Sequence, residues 1–193
     1  GFTIRNQYLS SIATVEAAVD NKALLRDYQR RFFNSSVKEF KDEKIKAYEF
    51  GDMYDQNRNK AFIDKLLMHK IKVYNSKGKF VVPVNQGQSR MVKNFFETYS
   101  KYVDSVYYDA SAWSVSNIYN MKSKKLKSFF GESEIKSTEN FIKNIKVNKS
   151  NYAYILDWDD YNAAAALNLL QKNEIITYSA FKPFSVKING TKS

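Results

Sequence analysis

Apolar residues recur at three- and four-residue intervals through the start of the chain. Ile4, Tyr8, Ile12 and Val15 form one run, and Leu25, Tyr28, Phe32, Ser36 and Phe40 a second. Such spacing holds side chains on one face of an α-helix, which turns every ~3.6 residues. No proline or glycine interrupts residues 2–50, and Asp20-Asn21 is the candidate break. The spacing predicts one long helix, or two in series, as a helical arm over residues 1–42. Such an arm packs across a following domain or links it to a preceding one. Its opposite face carries Arg26, Arg30, Lys38 and Glu39.

Beyond the arm the period changes. Residues 46–50 read as a strand closed by Gly51-Asp52, and 56–70 as a helix with Phe62, Ile63, Leu66 and Leu67 on one face. A strand at 71–74, turn chemistry at Ser76-Lys77-Gly78 and a strand at 79–84 follow. Residues 89–99 read as a helix with Met91, Val92, Phe95 and Phe96 as its apolar side, 105–108 as a strand and 112–119 as a helix. After residue 150 the pattern resumes with a strand at 152–156, a helix at 163–172, and strands at 175–178 and 184–188. Residues 46–84 and 152–188 thus share one order: strand, acidic turn with a tyrosine, helix, strand, turn, strand. A repeated βαβ unit with an extra strand predicts an α/β domain over residues 43–193. Its sheet is mostly parallel and flanked by helices, in the manner of flavodoxin-like folds.

Residues 121–150 break this pattern. Lys122, Lys124, Lys125, Lys127, Lys136, Lys143, Lys146 and Lys149 are spread through Ser- and Asn-rich sequence. The stretch reads as a mobile surface insertion, with an anionic docking patch as the functional alternative.

Composition excludes several chemistries. The chain has 193 residues, no cysteine and a single histidine, His69. A disulfide framework, a thiolate zinc site and a cysteine nucleophile are excluded, as is a histidine-rich metal site. No apolar run approaches the ~20 residues of a membrane span. The formal charge is +11, with 25 Lys against 6 Arg. Nucleic-acid readers lean on arginine for bidentate contacts, so this lysine excess reads as solvated faces rather than nucleic-acid binding. No phosphate loop or nucleophile elbow is present. The chain opens Gly1-Phe2 without methionine and reads as a piece of a longer protein.

Candidate ligand chemistry lies in acids placed just past predicted strand ends. These are Asp52, Asp109 and the group Asp157, Asp159 and Asp160. In open parallel sheets, ligands gather at the carboxyl ends of strands. Trp113 and Trp158 sit beside those acids, and Tyr54 and Tyr161 follow two of them. Together Asp52, Tyr54, Asp109, Trp113, Asp157, Trp158 and Tyr161 outline one candidate ligand crevice. The competing role of each acid is to cap the helix that follows it, and that of each aromatic is to fill core or interface. Three acids at one sheet edge could hold Mg²⁺ or a polar ligand, but capping is the favoured role and no metal site is expected within the chain. His69 falls at a helix C-terminus, where a cation complements the dipole.

Several of these stretches, taken in order, resemble the region that follows the catalytic domain in large bacterial zinc carboxypeptidases of the carboxypeptidase A superfamily. They are Thr3-Ile4-Arg5-Asn6-Gln7, Thr14-Val15-Glu16-Ala17-Ala18-Val19, Lys46-Ala47-Tyr48-Glu49-Phe50-Gly51-Asp52, Ile71-Lys72-Val73-Tyr74 and Val82-Pro83-Val84-Asn85-Gln86. The run Asp104-Ser105-Val106-Tyr107-Tyr108-Asp109-Ala110-Ser111-Ala112-Trp113 is the most specific, and Leu156-Asp157-Trp158-Asp159-Asp160-Tyr161 ends the series. The resemblance implies a class I glutamine-amidotransferase-like module without its cysteine. It places the HxxE…H zinc ligands in an upstream peptidase domain, so no cofactor is implied in this chain and zinc belongs to the parent. No catalytic residue carries over. The implied partners are the parent's own peptidase domain and a further downstream domain, with no nucleic acid and no membrane span. The implied location is the periplasm or outside the cell. The chain itself is then not an enzyme, while its parent is a zinc metallocarboxypeptidase. Two rivals are a small-ligand or carbohydrate-binding module using the strand-end acids and tryptophans, and a basic domain that binds anionic surfaces.

Overall fold

The computed structural model describes residues 1–98, 114–142, 147–182, 184–185, 187–188 and 191–192. It divides into two compact units, residues 1–144 and 145–193.

In the first unit, α1 (Phe2–Asp20) and α2 (Lys22–Phe40) follow one another with only Asn21 between them. The Asn21 N–H donates to Ala17 O at 3.0 Å and its side chain to the same carbonyl at 2.9 Å. The arm is therefore two helices in series. Only the end of the second stripe is covered, since Ser36 and Phe40 are buried in α2 and no residue of α1 is.

After the arm come β1 (Ala47–Phe50), α3 (Gln56–Met68), β2 (Val73–Ser76), β3 (Lys79–Pro83) and α4 (Ser89–Phe96). A short α5 (Val115–Ile118), β4 (Ser123–Leu126) and β5 (Glu134–Ile135) follow among the described residues. The five strands form one sheet in the order β4-β1-β3-β2-β5, and every neighbouring pair is antiparallel.

This arrangement corrects the expected mostly parallel, flavodoxin-like sheet, and with it the amidotransferase-like fold. The reason lies in the turn between β2 and β3. Lys77 and Gly78 both have positive φ, at 47° and 80°, and Ser76 pairs with Lys79. Two central residues of positive φ make a tight hairpin whose twist matches that of its strands, so β3 must return antiparallel to β2. It then slots between β2 and β1, pairing Phe50 with Phe80 and Ala47 with Pro83. The helix α3 still connects two strands of the same direction, but a third, opposed strand separates them. That is a split βαβ unit rather than a parallel pair. The lysine-rich stretch read as an insertion supplies both edge strands, β4 and β5, with Met121, Ile135 and Thr138 buried.

Strand alternation puts Tyr48, Phe50, Phe80 and Val82 on the face toward the helices. There they meet Phe62, Ile63 and Leu66 of α3 and Val92, Phe95 and Phe96 of α4 in one core. Tyr48 stacks on Phe96 with centroids 4.8 Å apart, and Phe62 meets Phe50 edge-on at 5.1 Å and Phe96 at 5.6 Å. The arm is held to this core by Arg90 of α4. Its guanidinium donates to Phe32 O at 2.9 Å, pairs with Glu39 at 2.7 Å and lies 4.5 Å from the Phe32 ring centroid.

In the second unit, α6 (Ala163–Lys172) forms where the spacing predicts a helix, and β6 (Lys187–Ile188) pairs antiparallel with β7 (Thr191–Lys192). The strands expected at 152–156 and 175–178 are not strands. The second copy of the proposed repeat is therefore absent. A parallel strand pair needs cover on both faces, and among the described residues of this unit the one helix of more than a turn is α6. Ile155, Ile176, Tyr178 and Phe181 consequently stand exposed.

Candidate functional site

The loop between β1 and α3 carries two of the predicted site residues, Asp52 and Tyr54. The Asp52 Oδ1 accepts from the Tyr54 N–H at 2.9 Å and the Asp55 N–H at 3.1 Å. Its Oδ2 accepts from Arg58 Nη1 at 2.9 Å. Asp55 caps α3 by accepting the Arg58 N–H at 2.7 Å, and Arg58 Nη2 lies 3.3 Å from its Oδ2. Asn59, buried one turn into the helix, accepts the Asp52 N–H at 2.8 Å and donates to Asp52 O at 2.6 Å. The Tyr54 and Asp55 N–H groups, with Arg58 beside them, hold the Asp52 carboxyl below the usual carboxylate range, and burial opposes them. Both Asp52 oxygens are thus committed to the turn that leads into α3, whose cap is Asp55. Tyr54, 93% exposed, forms no wall of a crevice with them.

In the second unit, the Asp157 Oδ1 accepts the Asp159 N–H at 3.0 Å, and the Asp160 Oδ1 accepts the Asn162 N–H at 2.7 Å. These are side-chain turns that lead the chain into α6. Trp158 is 63% exposed and Tyr161 is 47% exposed. Asp109 and Trp113 lie outside the described residues, as do the strand expected at 105–108 and the Tyr-Asp-x-Ser-x-Trp run. Asp52 and Asp157 fall in different units. Asp52, Asp157 and Asp160 each bond within their own turn.

Among the described residues there is no group of three or more His, Cys, Asp or Glu side chains that could hold a metal ion. His69 is the C-cap residue of α3, and its ring meets Phe95 edge-on at 5.5 Å. No helix among the described residues is long and apolar enough to cross a membrane.

Sequence reasoning missed two features of the first unit. One is the Arg90 clamp, which bonds residues more than fifty positions earlier. The other is an aromatic pair, Tyr74 and Phe129, with centroids 5.1 Å apart. Local spacing carries no signal for either, since their partners are set by how α4 meets α2 and how the β4–β5 connection folds back. The arm itself was legible, but its uncovered face was not. Large apolar side chains along α1, including Phe2, Ile4, Tyr8, Leu9 and Val15, are exposed. No family model, no curated protein and no solved structure matches the chain.

Proposed function

We propose that the chain is a non-catalytic accessory module of an exported zinc carboxypeptidase, with the helical arm as the element that docks the parent's peptidase domain. The observation that carries this reading is α1, a helix of 19 residues without one buried residue and with a series of exposed apolar side chains. A helix in water takes most of its stability from packing an apolar face. A contiguous exposed apolar face marks an interaction surface. The residues that carry the resemblance in the arm, Thr3 to Gln7 and Thr14 to Val19, lie on this same helix. In this reading zinc belongs to the parent's catalytic domain, further domains follow downstream, and the parent works in the periplasm or outside the cell.

The purified chain is expected to release no C-terminal amino acid from a blocked dipeptide, with or without added zinc. The same assay on the parent reading frame is expected to show zinc-dependent release. Zinc-dependent hydrolysis by the isolated chain would overturn the reading, and so would a parent frame with no upstream HxxE.

A further inference from the structure

The face of the sheet turned away from α3 and α4 carries Tyr74, Val81 and Pro83, by the register of β2 on β3 and of β3 on β1. Where β1 and β2 begin and β3 ends, an open groove of about 520 Å³ lies on this unit. That is the size of a small-molecule site, ~300–1,000 Å³. Tyr74, Phe129 and Pro83 give it apolar surfaces, Asn85 an amide, and Lys46 and Lys72 two ammonium groups. Lys46 uses one of its three donors on Lys41 O, at 3.0 Å. Among the described residues, none that lines it is acidic.

The groove is built rather than loose. Gln86 is buried between its two sides, donating to Pro83 O at 2.7 Å and accepting the Lys72 N–H at 2.8 Å. The aromatic wall depends on Gly131. A Cβ there would lie 2.5 Å from Phe129 Cζ and 2.9 Å from Tyr74 Cβ, so only glycine lets Phe129 fold onto Tyr74.

We infer that this groove binds a sugar ring that carries a carboxylate or phosphate. Two ammonium groups without an acid among them select an anion. Aromatic and proline surfaces suit the C–H face of a sugar ring, and the Asn85 amide, with donor and acceptor, suits its hydroxyls. This inference stands apart from the accessory-module reading and does not rest on it.

The test is amide chemical-shift titration of the ¹⁵N-labelled chain with glucuronate, glucose 6-phosphate, glucose and inorganic phosphate. Saturable shifts at Lys72, Asn85 and Gly87 are expected with an acidic sugar, the tighter of the two naming the anion. Glucose and phosphate are each expected to bind about tenfold more weakly, as is the acidic sugar to Lys72→Gln and to Phe129→Ala. Lys72 is exposed and holds Gln86 through its backbone, so the spectrum of Lys72→Gln elsewhere is expected to superimpose on the parent's. No saturable shift with either acidic sugar would overturn the inference. Equal binding of glucose or phosphate, or an affinity unchanged by Lys72→Gln, would overturn it too.

Discussion

Asp52 shows how one side chain can be placed correctly by sequence while two roles, ligand site and helix-start turn, stay open for it. Its position just after the first strand was legible, because Gly51-Asp52 ends an apolar run. Its partners were not, because Arg58 and Asn59 lie in the first turn of the next helix and only the fold aims them back. With two backbone N–H groups and Arg58 on its oxygens, Asp52→Ala is expected to cost about 1–3 kcal/mol in urea unfolding at neutral pH. The folded-state pKa lies below the unfolded one, so the carboxylate's contribution is complete above the unfolded value of about 3.9 and fades as pH falls through the folded one. The gap between the native chain and the variant is therefore expected to close below about pH 4. A gap that widened on acidification would contradict the assignment. Asp157 belongs to the same lesson, since a carboxylate two residues before an N–H makes a turn more readily than a ligand site.

At the scale of elements, the helices α3, α4 and α6 and the strands β1 to β3 fall close to where period and turn chemistry put them. Their pairing does not, because period says nothing about the neighbour of a strand. The information was nonetheless present at Ser76-Lys77-Gly78, since a two-residue hairpin fixes antiparallel pairing at once. Gly78, at φ 80°, is the residue that permits it. Gly78→Val is expected to lower stability by about 1–2 kcal/mol, read as a shift in the urea midpoint, because a β-branched residue at positive φ is strained. Gly78→Asn, which tolerates that conformation, is expected to recover most of the loss. The lysines of 122–127 misled in another way. Lys124 and Lys125 sit on β4, an edge strand, and charged edges discourage pairing between molecules. Replacing both with valine is expected to produce concentration-dependent association in sedimentation. An unchanged monomer at every concentration would remove that role from them.

At the scale of the whole molecule, the described residues hold a well-packed core in residues 1–144 and exposed apolar side chains along α1 and in residues 145–193. Among the described residues of 1–144, sixteen buried side chains gather into one core around Phe62 and Phe96, and none of them comes from the arm's first helix. In residues 145–193, Tyr152, Tyr154, Ile176 and Tyr178 have the composition of strands but stand exposed. That composition is why the sequence read as a second βαβ unit. Among the described residues of this unit, α6 is the one helix of more than a turn, a fact that alternation within a segment does not express. The arm is legible for the same reason that its purpose is hidden, since the apolar stripe that predicts a helix says nothing of what covers it. The clamp of Arg90 on Phe32 and Glu39 anchors the end of the arm nearest the core, while Phe2–Asp20 has no buried residue. Amide hydrogen exchange of that helix tests the proposed docking directly, measured in the isolated chain and in the chain joined to the peptidase domain proposed to precede it. The account predicts that the Phe2–Asp20 amides exchange at least about tenfold more slowly in the joined protein, with the core of residues 47–96 unchanged. Equal exchange of that helix in the two proteins would contradict it.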